Sequence, residues 1–131
     1  MTRAHLDHVH LAATDIERAA AFYCSAFGAA VLARYEYEGS RSIAIDLGGT
    51  RVNFRQRKSV DEAALDHLGI GVVDLEATWR RLQSADADLT REPRPWEPTT
   101  VVENHTGRPM GGNFAFLRGP AGELIELVER F

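Results

Sequence analysis

The 131-residue chain has one cysteine, no apolar run approaching the ~20 residues that cross a bilayer, and no excess of positive charge. Each shortage removes a class of function. Cys24 cannot form an internal disulfide, which excludes a disulfide scaffold and leads us to expect a cytoplasmic protein. Its place in a helical pattern reads as a small buried thiol rather than a nucleophile. Fifteen Lys and Arg stand against nineteen Asp and Glu, a net charge of −4, so neither nucleic acid nor a membrane surface is an expected partner. No leader pattern is read at Met1-Thr2-Arg3, and no stretch is low in complexity. What remains is a composition of 44% hydrophobic and 26% charged residues, which suits a single globular domain over 1–131.

What the chain does have is a repetition. Leu6-Asp7-His8-Val9-His10-Leu11-Ala12-Ala13-Thr14-Asp15-Ile16-Glu17 returns 59 positions later as Leu65-Asp66-His67-Leu68-Gly69-Ile70-Gly71-Val72-Val73-Asp74-Leu75-Glu76. Leu, Asp, His, Asp and Glu recur in place without a gap, where unrelated stretches of this length share roughly one identity. A fixed internal period implies two copies of one supersecondary unit, here residues 5–57 and 65–131 with a linker at 58–64.

Each copy opens with period-2 alternation, at 5–12 and 66–73, and continues into a helix. Val9 and Leu11 share a face with Leu68, Ile70 and Val72 as counterparts. His8 and His10 take the other face, as do His67, Gly69 and Gly71. Thr14 or Asp15 caps the first helix, Glu17 stands in its acidic first turn, and Gly28 stops it. Leu75, Trp79 and Leu82 form the apolar stripe of the second helix, with Trp79 in the core. Strands are predicted at 30–37, 41–47 and 51–57, with turns at Glu38-Gly39-Ser40 and Gly48-Gly49-Thr50. In the second copy they are predicted at 88–91, 113–118 and 123–129, the last two joined through Gly119-Pro120-Ala121-Gly122. Four of the five prolines fall within 92–112, which reads as an irregular loop covering something. The fold class is therefore α+β: two βαβββ modules whose mostly antiparallel mixed sheet curls around a central cavity.

The last strand of each copy carries polar residues on the face opposite its apolar ones. Arg51, Asn53 and Arg55 oppose Val52 and Phe54, and Glu126 opposes Ile125 and Leu127. Glu126 lies between Leu124 and Val128, where an unpaired carboxylate is costly, so it must be protonated, salt-bridged or bound to a metal. With the copies placed together, His8, His67 and Glu126 share the inward face. Two imidazoles and a carboxylate suit one divalent Fe, Mn, Ni, Zn or Co ion, and three ligands leave positions open for chemistry. Arg51 and Arg55 are candidates for an anionic substrate oxygen. Phe114 and Phe116 are candidates for an apolar wall. His105 and Glu103 are candidate acid–base groups on the loop, with Gly111-Gly112 as a hinge beside them. His10 has no counterpart, since Gly69 takes its place. Asp7, Asp15, Asp66 and Asp74 read as turn and cap residues.

The histidine placed seven residues before each Asp-aliphatic-Glu helix start, together with the closing Gly-Pro-Ala-Gly-Glu-Leu-Ile-Glu-Leu, resembles the vicinal oxygen chelate superfamily. That group includes glyoxalase I, methylmalonyl-CoA epimerase, extradiol dioxygenases, fosfomycin-resistance enzymes and bleomycin-resistance proteins. The resemblance implies a metal-dependent lyase or isomerase that chelates a small oxygen-bearing substrate through an enolate-like anion. By the same resemblance His8, His67 and Glu126 are ligands, Glu126 doubles as a base, and the chain forms a homodimer. Glyoxalase I carries a Glu where this chain has Asn53, and an amide cannot serve as a base. Extradiol dioxygenases carry a Tyr where Phe116 stands. An iron(II)-dependent dioxygenase and a non-catalytic drug binder of the bleomycin-resistance type are the alternatives the resemblance leaves open.

Overall fold

The computed structural model describes residues 3–60 and 65–131, so the final part of the expected 58–64 linker lies outside the described residues. The first half runs β1 (His5–Ala13), α1 (Ile16–Phe27), β2 (Ala30–Tyr37), β3 (Ser40–Leu47) and β4 (Thr50–Gln56). The second half runs β5 (Leu65–Gly71), α2 (Leu75–Ser84), β6 (Asp88–Trp96), β7 (Thr100–Asn104), β8 (Gly112–Arg118) and β9 (Leu124–Arg130).

Both helices begin and end where side-chain chemistry allows. Asp15 Oδ1 accepts from Arg18 N at 3.0 Å, and Asp74 Oδ1 accepts from Ala77 N at 3.0 Å, each satisfying an otherwise orphaned first-turn amide. Gly28 closes α1 in the left-handed region at φ +71°, its N–H donating to Cys24 O. The last strands add a second restraint at each helix start. Gln56 Oε1 accepts from Ile16 N, and Glu129 Oε2 accepts from Leu75 N at 2.9 Å.

The strands of the described residues form one nine-stranded sheet, in the order β6-β8-β9-β5-β1-β4-β3-β2-β7. The β1–β4 and β5–β9 pairs are parallel, and the others are antiparallel. Alternation puts apolar side chains on one face, where each helix covers its own cluster. Ile16 and Ala20 of α1 meet Ile43, Ile45, Val52 and Phe54. Leu75 and Trp79 of α2 meet Ala115, Leu117 and Leu127. The opposite face is left for polar residues and a cavity. No helix among the described residues is long and apolar enough to cross a membrane.

The segment 92–112 is not the irregular loop its prolines suggest. The short strand expected at 88–91 runs on through Trp96, and a further strand, β7, follows. Proline is tolerated because β6 is the sheet edge and its ladder to β8 shifts register twice between Leu89 and Arg94. β7 then leaves its own half and pairs with β2, with Ala33 opposite Asn104 and Tyr35 opposite Val101. Thr99 N→Glu36 O at 2.8 Å and His105 N→Leu32 O at 2.7 Å extend that pairing. The expected hinge at Gly111-Gly112 is instead a close approach. A Cβ on Gly112, at φ +152°, would lie 2.2 Å from Glu129 O.

Candidate metal centre

β1 and β5 lie side by side at the middle of the sheet, and their ladder contains two β-bulges. Register shifts between Leu6 and His8, and again between Leu65 and His67, leaving Asp7 and Asp66 as the extra residues. Alternation would otherwise send each Asp to the face opposite its following His. A bulge re-aims the side chain, so each aspartate meets the histidine beside it. His8 Nδ1 lies 2.6 Å from Asp7 Oδ2, and His67 Nδ1 lies 2.8 Å from Asp66 Oδ1.

Each aspartate is held in turn by an arginine from the end of the other half's last strand. Arg130 donates to Asp7 from Nε at 2.8 Å and from a terminal nitrogen at 2.6 Å. Arg57 donates to Asp66 at 2.8 Å. Burial alone would raise the Asp7 pKa, but its bonds from His8 and Arg130 hold it well below the usual carboxylate range. The bond from His67 does the same for Asp66, with Arg57 adding to it against burial.

These anions only accept, so both Nδ1 atoms carry hydrogen and both Nε2 atoms present lone pairs. The lone pairs converge. His8 Nε2 and His67 Nε2 are 3.3 Å apart, and Glu126 Oε1 lies 3.4 Å from the first and 3.7 Å from the second. Ligands bound at ~2.1 Å and subtending 90–120° at one ion are about 3.0–3.6 Å apart, so the triangle has the size of one face of a coordination sphere. Two bare imidazole nitrogens and a carboxylate oxygen this close require a cation among them. Without a metal it is a proton: burial opposes it, but Asp66 and Glu126 outweigh that and raise the His67 pKa to about 9. A histidine whose second nitrogen is held by a carboxylate is the usual arrangement of metal-ligating imidazoles.

Gly69 gives this centre its room. A Cβ there would sit 2.2 Å from His8 Cε1, so the imidazole occupies the space a side chain would take. His10, its counterpart, is buried and stacks on His67 with ring centres 4.4 Å apart. Neither His10 ring nitrogen has a hydrogen-bond partner among the described residues. Burial, then the neighbouring imidazoles, push its pKa well below the ordinary value, leaving the ring neutral. His8, His10 and His67 are a buried group that could hold a metal ion.

The cavity against these groups measures about 310 Å³. Arg51, Asn53, Arg55, Phe114, Phe116 and Glu126 all line it, with Trp96, Tyr35 and Tyr37 closing one side. Arg51 Nε donates to Asn53 Oδ1 at 3.0 Å, and Arg51 has no carboxylate partner among the described residues. Burial and then the adjacent Arg130 lower its pKa, with Tyr35 and Asp7 opposing them. Arg55 Nε donates to Ser40 Oγ at 3.0 Å. His105 is not brought to the cavity. It stands exposed, 3.5 Å from Glu103, which itself pairs with Arg34.

The Asp–Arg pairs behind the two histidines escaped the sequence reading, which took both aspartates as turn and cap residues. The signal was present, since Asp precedes His in both copies.

Comparison with known proteins bears on this geometry. The family profile described as Glyoxalase/Bleomycin resistance protein/Dioxygenase superfamily matches residues 5–127, from the start of β1 to one residue past Glu126. Probable lactoylglutathione lyases of Vibrio parahaemolyticus and Vibrio cholerae are each 25% identical, across 98% of this chain and 93% of their own length. Two of the many solved structures that share the fold illustrate it. One is a hypothetical protein of Bacillus halodurans, with TM-score 0.78, 20% identity, and coverage of 98% of this chain and 95% of that one. The other is methylmalonyl-CoA epimerase of Mycobacterium tuberculosis, with TM-score 0.73, 23% identity, and coverage of 95% and 86%. The chain belongs to the glyoxalase/bleomycin resistance protein/dioxygenase superfamily.

Proposed function

We propose that this protein is a metal-dependent lyase or isomerase that holds one divalent ion on His8, His67 and Glu126 and acts on a small anionic substrate. The observation that carries the reading is the triangle of ligand atoms, with sides of 3.3, 3.4 and 3.7 Å, backed by an aspartate behind each histidine. The donor set suits Fe, Mn, Ni, Zn or Co. When bound, the ion supplies Lewis-acid stabilisation of negative charge that develops on substrate oxygens.

The chain's own residues do the rest. Arg51, oriented by Asn53, receives the anionic end of the substrate, and Arg55 adds a second cation on the same strand face. Phe114 and Phe116 pack its carbon skeleton and keep water from it. Glu126 takes the proton from carbon at its carboxylate oxygen and returns it. With Asn53 in place of a second carboxylate, one carboxylate serves both transfers. The relatives' names supply the reactions to assay first, lactoylglutathione formation and methylmalonyl-CoA epimerisation. All 131 residues are taken as one domain of two modules, 5–57 and 65–131, with the site complete in one chain and the chain paired as a homodimer.

Elemental analysis of the purified and reconstituted protein tests the reading. One equivalent of metal, lost in His67→Ala, is expected. Turnover of an anionic substrate should drop in Arg51→Gln while metal content is unchanged. Failure to take up any divalent metal after reconstitution would leave the drug-binder reading in its place.

A further inference from the structure

The two halves correspond residue by residue around the centre. His8 answers to His67 and Asp7 to Asp66. Asn53, Gln56 and Arg57 at the end of β4 have the same spacing as Glu126, Glu129 and Arg130 at the end of β9. The correspondence extends to contacts, because Arg57 grips Asp66 as Arg130 grips Asp7, and Gln56 caps α1 as Glu129 caps α2.

Two of the positions where it fails adjoin each other. Gly69 pairs with Glu126 across β5 and β9, and its counterpart His10 pairs with Asn53 across β1 and β4. One side therefore has a glycine beside a carboxylate, and the other has an imidazole beside an amide. The amide is already engaged, since Asn53 Oδ1 accepts from Arg51 Nε. The imidazole has both nitrogens buried and unpartnered among the described residues. The side that lost the carboxylate thus gained a free nitrogen donor.

We propose that His10 is the fourth protein ligand of the cation, replacing the carboxylate absent at position 53, so that three imidazoles and one carboxylate hold the ion. The inference rests on the metal-centre reading above and goes beyond its three ligands. The ligating nitrogens of His8, His10 and His67 all lie within 4.8 Å of one another. His10 lies against the centre, its ring centre 4.4 Å from that of His67 and 5.8 Å from that of His8, so a turn of its stacked ring would bring a nitrogen to the ion. Exchanging a carboxylate for a neutral ring has two chemical consequences. The ion keeps more of its positive charge, and the donor set moves toward Co, Ni, Cu and Zn and away from Mg and Mn.

The test loads metal-free protein with Co(II) and counts imidazoles by X-ray absorption, alongside competition titration against a chromophoric chelator. Three imidazoles are expected in the wild type and two in His10→Ala, whose affinity should fall by more than the ~10–100-fold that loss of an orienting partner costs. The double variant His10→Gly/Asn53→Glu should recover affinity with two imidazoles. A wild-type count of two, which needs no variant to fold, overturns the proposal while leaving the three-ligand centre standing. Absence of any Co(II) binding overturns both.

Discussion

Replacing Asp7 with Asn tests whether the charged pairs behind the histidines organise the centre. Asp7 accepts one bond from His8 and two from Arg130, and its side chain is 10% exposed against 25% for that of Arg130. The substitution is nearly isosteric, so packing is conserved and charge is what changes. An amide can still accept from His8 Nδ1, but it leaves the half-buried guanidinium of Arg130 without its counter-ion. Breaking a fully buried pair costs ~3–5 kcal/mol, and hydrogen bonds to charged groups are worth ~1.5–3. Because Arg130 keeps partial contact with water, we expect about 2 kcal/mol. For a chain of this length that lowers Tm by roughly 6–10 °C in the metal-free protein. The imidazole also loses the anion that fixes its tautomer, which should weaken metal binding by ~10–100-fold. Thermal unfolding of the metal-free protein and chelator competition measure the two effects separately. If Asp7→Asn lowers Tm by less than about 2 °C and leaves affinity within a factor of about two, the pair is ordinary surface charge and the reasoning is wrong.

Two further predictions concern the same centre. The metal-free His67 titrates at about 9, above its unfolded value near 6.5, so its stabilisation is full below about pH 6.5 and lost as pH rises through 9. A metal must displace that proton, so apparent affinity should climb about tenfold per pH unit toward 9 with proton release in calorimetry, and a flat pH profile would contradict it. Gly69→Ala places a methyl 2.2 Å from the His8 ring, which should cost ~1–3 kcal/mol of stability and displace a ligand. A variant with wild-type metal affinity would show that His8 does not need that space.

Much of this was legible in the chain. The repeat located β1 and β5, and alternation assigned Val52, Phe54, Ile125 and Leu127 to the helix-covered face, where the structure has them. The same alternation put Arg51, Asn53, Arg55 and Glu126 on the cavity face. It failed where a local rule meets a long-range one. Period-2 reasoning separates Asp7 from His8 and Asp66 from His67, and only the paired bulges reunite them. His105 was drawn toward the site by its loop-like context, yet β7 carries it along the β2 edge and away from the cavity.

The amino-acid order alone determined the duplicated strand–helix units, their caps and the apolar faces of β1, β4, β5 and β9, because these follow from side-chain periodicity and short-range hydrogen bonding, while the family was legible through the resemblance of its motifs. Only tertiary structure decided that β7 joins the far edge, that two bulges aim Asp–His pairs at one point, and that His10 is buried with no hydrogen-bond partner among the described residues. Those outcomes depend on which backbone edges remain free and which side chains compete for one enclosed space, and neither is encoded within a few residues of sequence.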